Sequence, residues 1–318
     1  MQAMKRVVLS FTAVAGAMAA LAGPVTAASP PRVSTGGAQS VGFQSAVLTG
    51  SINPNGLGTS YYFQYGLTKA YTTQTAIASA GAGTRSVTVK VPIAGLAPLT
   101  VYHYRLVAVS SAGVTMGGDH SFKTTKIPLS LSIILAAPNP VVFGGTVTIQ
   151  GELSGTESAN RKVVLEALGW PFTAGFAQLP NVNAELTTAT GGFTFTVPGL
   201  GAATQFRVVT ATNPPVLSPV VTENVVVRVT SHIARTRRHG FARFYGTVTP
   251  AVDGAQVGIL RVAGRHGVLA GGTILTHRNA TSSKFSRVVR VHKGIYRVLV
   301  RVVGAPVASN YGQPLRIR

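Results

Sequence analysis

The sequence predicts an all-β protein: consecutive sandwiches behind an N-terminal export segment. Three observations carry that prediction. Beyond residue 28 the apolar period is two almost everywhere. Gly, Pro or Asn interrupts it at roughly the 8–12 residue spacing of a sandwich. No segment there shows the i, i+3, i+4, i+7 apolar stripe of a surface helix.

The export segment, residues 1–28, reads in the usual order. Lys5 and Arg6 form a basic start, and Val7 to Gly23 is apolar except for Ser10 and Thr12. Pro24 breaks the run, and Val25-Thr26-Ala27 offers small residues for cleavage, with Ala28 the next candidate. As an uncleaved anchor the run would be at the short limit for a span, and Ala and Gly fill several positions near its end. No later stretch is long and apolar enough for a second span. No Cys follows that could carry a lipid. A secreted or extracellular cell-surface protein is expected, with no membrane span after cleavage.

Six segments show the β period most plainly: Tyr61–Tyr65, Ser86–Val91, Val101–Leu106, Thr146–Ile149, Phe193–Val197 and Tyr296–Val302. Each is rich in Val, Thr or aromatic residues, the types that fit a pleated, half-buried surface. Composition and spacing divide the mature chain into 29–125, 126–228 and 229–318. Each unit has roughly the size of one sandwich and enough apolar material for a core without disulfide staples. The joints are short, with no Gly/Ser-rich or Pro-rich run, so a semi-rigid string is expected.

In the first unit, Leu96-Ala97-Pro98-Leu99-Thr100-Val101-Tyr102 resembles the L-x-P-x-T-x-Y stretch of fibronectin type III domains. Ala46-Val47-Leu48-Thr49-Gly50, Asn53-Pro54-Asn55-Gly56, Tyr104-Arg105-Leu106-Val107-Ala108 and Ser121-Phe122-Lys123-Thr124 resemble the bacterial secreted branch of that family. The resemblance implies that Tyr102 closes a tyrosine corner by bonding backbone upstream. The Trp usual in an early strand of animal members is absent, and Tyr61, Phe63 and Tyr65 are the candidates for its bulk. The later units resemble bacterial immunoglobulin-like or prealbumin-like surface modules more loosely, through Thr190–Pro198, Gly246–Pro250 and Tyr296-Arg297-Val298. Such patterns bear on fold rather than function.

Composition removes several chemistries. With Cys 0, thiol catalysis and cysteine-ligated zinc are excluded. The whole chain has 7 carboxylates. Asp119 stands alone in the first unit and Asp253 in the third, so a glycosidase-type pair has candidates only among Glu152, Glu157, Glu166, Glu185 and Glu223. Phosphate-loop, dinucleotide, nucleophile-elbow and metalloprotease motifs are all missing. The 7 His show no i, i+2 pairing on a strand. No cofactor, no metal and no enzymatic activity are expected; an exoenzyme with an unrecognised site in the middle unit is the residual alternative.

What remains is charge. The chain carries a formal +21, or +19 after cleavage. The first unit contributes +5 and Lys126 to Val227 −1, while Arg228 to Arg318 holds 16 basic residues against Asp253 alone. If Tyr296, Val298, Val300 and Val302 face the core, Arg297 and Arg301 project outward. Arg243, Arg287 and Arg290 are candidates to extend that ladder, with Arg235, Arg237 and Arg238 in a loop beside it. Guanidinium forks suit phosphate and carboxylate oxygens. Cell-wall or other extracellular polyanions, such as acidic polysaccharide, are therefore the candidate partners. Nucleic acid is the less favoured one, because no aromatic stacking platform is evident. The competing readings are a solubilising surface with no partner and a purely structural spacer. Trp170 is expected over its sandwich core rather than exposed for sugar stacking.

Overall fold

The computed structural model describes residues 29–264 and 266–318. The expected export segment lies outside the described residues. Among these, all regular structure is β, and no helix is long and apolar enough to cross a membrane. The described residues form two compact units that divide between Thr125 and Lys126.

In the first unit a three-stranded sheet (Arg32–Thr35, Ser45–Asn53, Val87–Ala94) packs on a second sheet centred on Thr59–Gly66 and Val101–Ser110. Alternation assigns the faces: Phe63, Tyr104, Leu106 and Ala108 point inward and are fully buried. Phe63 is buried in this core, and Tyr61 and Tyr65 pack against it partly buried. Position 50 has to be glycine, because a Cβ there would meet Leu106 Cδ2 at 2.5 Å and the Ser34 carbonyl oxygen at 2.8 Å.

Two tyrosines two residues apart do different work. Tyr102 Oη accepts the Ala97 N–H at 3.0 Å, five residues upstream. Tyr104 lies deeper: its ring sits 5.7 Å from Phe122 and 6.4 Å from Phe63, and its hydroxyl donates to the Gly36 carbonyl at 2.6 Å. Tyr104→Phe leaves the ring packing intact but strands that carbonyl, so a loss of about 1–2 kcal/mol is expected. Denaturant melts of the full chain, followed by a probe in the first unit, check this. An unchanged midpoint would mean that water replaces the hydroxyl without cost.

The second unit holds two sandwiches. The first pairs Ser130–Ala137, Gly145–Ser154 and Gly192–Leu200 in one sheet, and builds the other around Lys162–Gly169 and Thr204–Thr210. The C-terminal sandwich has a front sheet in the order Arg228–Arg235, Phe241–Thr249, Ser282–Arg290, Thr276–Asn279. Its back sheet runs His266–Ile274, Gln256–Ala263, Gly294–Arg301, Asn310–Tyr311, with Leu315–Ile317 also on Gly294–Arg301. The two sheets meet through Phe244 and Tyr296, whose ring centroids are 5.4 Å apart in the core.

The joint between these sandwiches is tied rather than merely short. Val226 bridges Ala308 in parallel, Ala308 N–H donates to the Val225 carbonyl at 2.7 Å, and Asn310 Nδ2 donates to the Val227 carbonyl at 2.9 Å. Ala203 N–H reaches the Pro306 carbonyl at 2.8 Å, and Arg228 Nη2 reaches the Phe143 carbonyl at 2.8 Å. Val225, Val227, Val229 and Val307 are buried, so one apolar cluster runs through both sandwiches. The segment 305–310 of the C-terminal sandwich thus clasps the end of its predecessor.

Candidate functional site

The C-terminal sandwich sorts its charge by strand register. The front-sheet hairpin Arg228–Arg235/Phe241–Thr249 pairs Arg235 with Ala242 and turns through 236–240. The turn closes locally: the Thr236 hydroxyl lies 3.0 Å from the carbonyls of Arg238 and Phe241, and Gly240 takes φ +74. Arg238 lays its guanidinium over the Phe241 ring at 4.0 Å, a cation–π contact that holds it without neutralising it. The third strand ends beside this turn, with Phe241 opposite Arg290 and Val291 N–H bonded to the Gly240 carbonyl at 2.8 Å. Arg235, Arg237, Arg238 and Arg290 therefore share one end of the sandwich, with Arg287 three residues in, and all five are exposed.

The back sheet adds to the same end. Its strand Gly294–Arg301 begins just after Lys293, and Gly294 pairs with Ile317, which brings Arg316 and Arg318 alongside. Arg261 Nη2 donates to the Lys293 carbonyl at 3.0 Å. That Arg261 and Lys293 join this end depends on which distant strands pair, and no local pattern in the sequence records it.

The sandwich's one side-chain carboxylate is at the other end. Asp253 follows Thr249 in the chain; its carboxylate accepts a short hydrogen bond from Ser283 and stands 3.1 Å from His277 Nδ1. The Ser283 bond, then His277, holds it below the usual aspartate range. The nine-residue strand Phe241–Thr249 sets the two ends about 30 Å apart at ~3.3 Å per residue. That is several Debye lengths at physiological salt, about 8 Å each. Asp253 cannot offset the cationic end, and among the described residues none of its arginines is in a salt bridge.

The expected single ladder does not form. Arg243 projects from the front sheet, between buried Ala242 and Phe244. Arg297 and Arg301 do project outward between buried Tyr296, Val298 and Val300, but from the back sheet. With the sheets face to face, the two sets point in opposite directions. Arg297 instead leans toward Tyr311, 5.9 Å from the ring centroid.

On the front face the structure assembles an aromatic feature that strand periodicity alone does not reveal. His232 and Tyr245 are register partners with ring centroids 5.4 Å apart, and Arg243 stacks 4.8 Å over the Tyr245 ring. Arg278 and Lys284 border the same shallow groove. The signal was in the hairpin: counting outward from the 236–240 turn places residue 232 opposite 245.

Other candidates disperse. Glu152 lies on the outer face of one sheet of the middle sandwich, while Glu166 on the other sheet is held by Arg207 at 2.7 Å. Glu157 pairs with Arg161 at 2.8 Å in a turn, Glu185 is exposed, and Glu223 is fully buried. Trp170 does not cover its core. It is 43% exposed, lining a depression at the joint of the two sandwiches with Phe172, Ala305 and Pro306. In the first unit Asp119 accepts the Tyr71 hydroxyl at 2.7 Å and lies 3.0 Å from His103 Nδ1, and Arg105 covers the Tyr71 ring at 4.5 Å. Burial and then the Asp119 bond push the Tyr71 phenol up to about 12, so it stays a donor that fastens the loop.

No protein-family model and no curated protein matches the chain. Among solved structures, a marsupial T cell receptor matches at 12% identity and TM-score 0.36, covering 90% of this chain and 100% of that one. A tetra-tandem repeat in the extending region of a large adhesion protein matches at 12% identity and TM-score 0.28, covering 91% and 74%. Trypsin-activated alpha-2-macroglobulin from Escherichia coli matches at 13% identity and TM-score 0.25, covering 89% of this chain and 23% of that one. Scores this low add nothing to the fold read from the sheets themselves.

Proposed function

We propose that this is an exported, non-enzymatic adhesion-type protein of the cell surface or its surroundings. Its C-terminal sandwich holds anionic polymers, of the phosphate-rich wall or acidic-polysaccharide kind, at its cationic end. The first unit serves as a fibronectin type III-like module; its sheet order and the Tyr102–Ala97 bond support that reading. The observation that carries the proposal is the gathering of Arg235, Arg237, Arg238 and Arg290 at one end, remote from Asp253. A surface selected only for solubility tolerates mixed signs.

Binding of this kind gains mainly from counterions released by the polymer, so log K falls linearly with log salt. Titrating the whole mature chain against long-chain polyphosphate across a salt series should give a slope of about −3 to −5, close to one per contacting guanidinium. A slope near −1 would leave only diffuse ion exchange and overturn the proposal.

A further inference from the structure

The back sheet of the C-terminal sandwich carries apolar side chains on both faces. Its inward residues Val257, Ile259, Val298 and Val300 form the core. Its outward row should then be polar, as on most half-buried sheets. Instead Leu260 and Leu299 project outward beside Leu269 (65% exposed) and Ile274 (56% exposed). Val262 and Ile295, both partly exposed, continue the row.

This face is concave. Two adjoining depressions of about 390 and 570 Å³ share Leu260 as a common wall. Glycines at 258, 267 and 272 line them, and a Cβ at 258 would stand 3.6 Å from Leu269 Cδ1, inside the hollow. The trough follows the strand from residue 256 to 262, about 20 Å at ~3.3 Å per residue. Arg297 borders one depression and Arg301 the other.

We propose that this trough binds a single-chain anionic amphiphile, with the acyl chain along Leu260, Leu269 and Leu299 and the acidic head at Arg297 or Arg301. Charge complementarity selects the occupant. A second copy laid face to face would bring four guanidiniums together, and the sandwich has no side-chain carboxylate but Asp253 to relieve them. An uncharged chain would leave both arginines unused.

Calorimetry of the whole mature chain with laurate and myristate, below micelle formation, tests this. One molecule should bind per chain, and the two added methylenes should tighten binding about tenfold. Myristyl alcohol should bind at least tenfold more weakly. Gly258→Val, which the backbone tolerates (no positive φ, ordinary contacts only), should fill the slot and weaken myristate at least tenfold. Leu269→Asp, on an exposed edge position, should do the same without touching the core. Arg243→Glu on the opposite face should leave binding unchanged. Equal binding by wild type and Gly258→Val would mean adventitious uptake by a basic surface and overturn the proposal. So would a dimer in solution that Leu269→Asp dissociates, because the occupant would then be a second copy.

Discussion

Reversing Arg235, Arg237 and Arg238 to Glu is expected to weaken polyphosphate binding about a hundredfold or more at physiological salt. Each guanidinium–phosphate contact near a polyanion is worth about 1 kcal/mol under those conditions. Three lost contacts therefore give roughly 3 kcal/mol, and the new carboxylates add repulsion. The salt slope should become shallower by about two to three units. Fold is not at stake, since all three residues are exposed in or beside a surface turn; only the Arg238–Phe241 contact is lost, worth about 0.5–1 kcal/mol. Reversing Arg297 and Arg301 is the informative control. It changes net charge by two-thirds as much, but on the back face, and should cost only a fewfold in affinity. If the two reversals weakened binding equally, net charge alone would be responsible and the cationic end would lose its role.

That control exists because of a limit on what a sequence reveals about sheets. A period of two tells which side chains of a strand point outward, and it placed Arg243, Arg297 and Arg301 outward as the structure does. A sandwich has two outward faces, however, and which one a strand serves depends on its neighbours. Gly294–Arg301 pairs with Gln256–Ala263, some forty residues earlier, rather than with the strand Ser282–Arg290 that precedes it. Nothing local encodes that choice. The fold class was legible for the opposite reason. Alternating Val, Thr and aromatic residues bounded by turn residues are local features, and the six quoted segments all coincide with strands or extend one residue past them. The apolar trough was invisible to a reading that assigned every outward residue to water. Trp170 was misplaced because its cover comes from residues 305 and 306, far along the chain.

Glu223 had a local signal of its own. Val221 and Val225 share its parity, so strand geometry turns its side chain inward with theirs. It is fully buried, and neither carboxylate oxygen has a hydrogen-bond partner. Burial pushes its pKa up from 4.5 to about 7. The native state therefore keeps a proton that the unfolded chain gives up. Below pH 4.5 both states are protonated and the group costs nothing. Between about 4.5 and 7 the native state binds more protons, so stability falls as pH rises, by up to 1.4 kcal/mol per unit. Above 7 the loss levels off at about 3–4 kcal/mol. Glu223→Gln keeps the shape and removes the ionisation. It should match wild type near pH 4 and exceed it at pH 8 by about that amount, or roughly 5–10 °C in the melting temperature of a unit this size. Because one apolar cluster joins the two sandwiches, the whole of Lys126–Arg318 should melt later in the variant, as one transition. Calorimetric scans at pH 4, 6 and 8 decide the matter. Parallel curves for the two proteins would mean that water reaches the carboxylate and that its burial costs nothing.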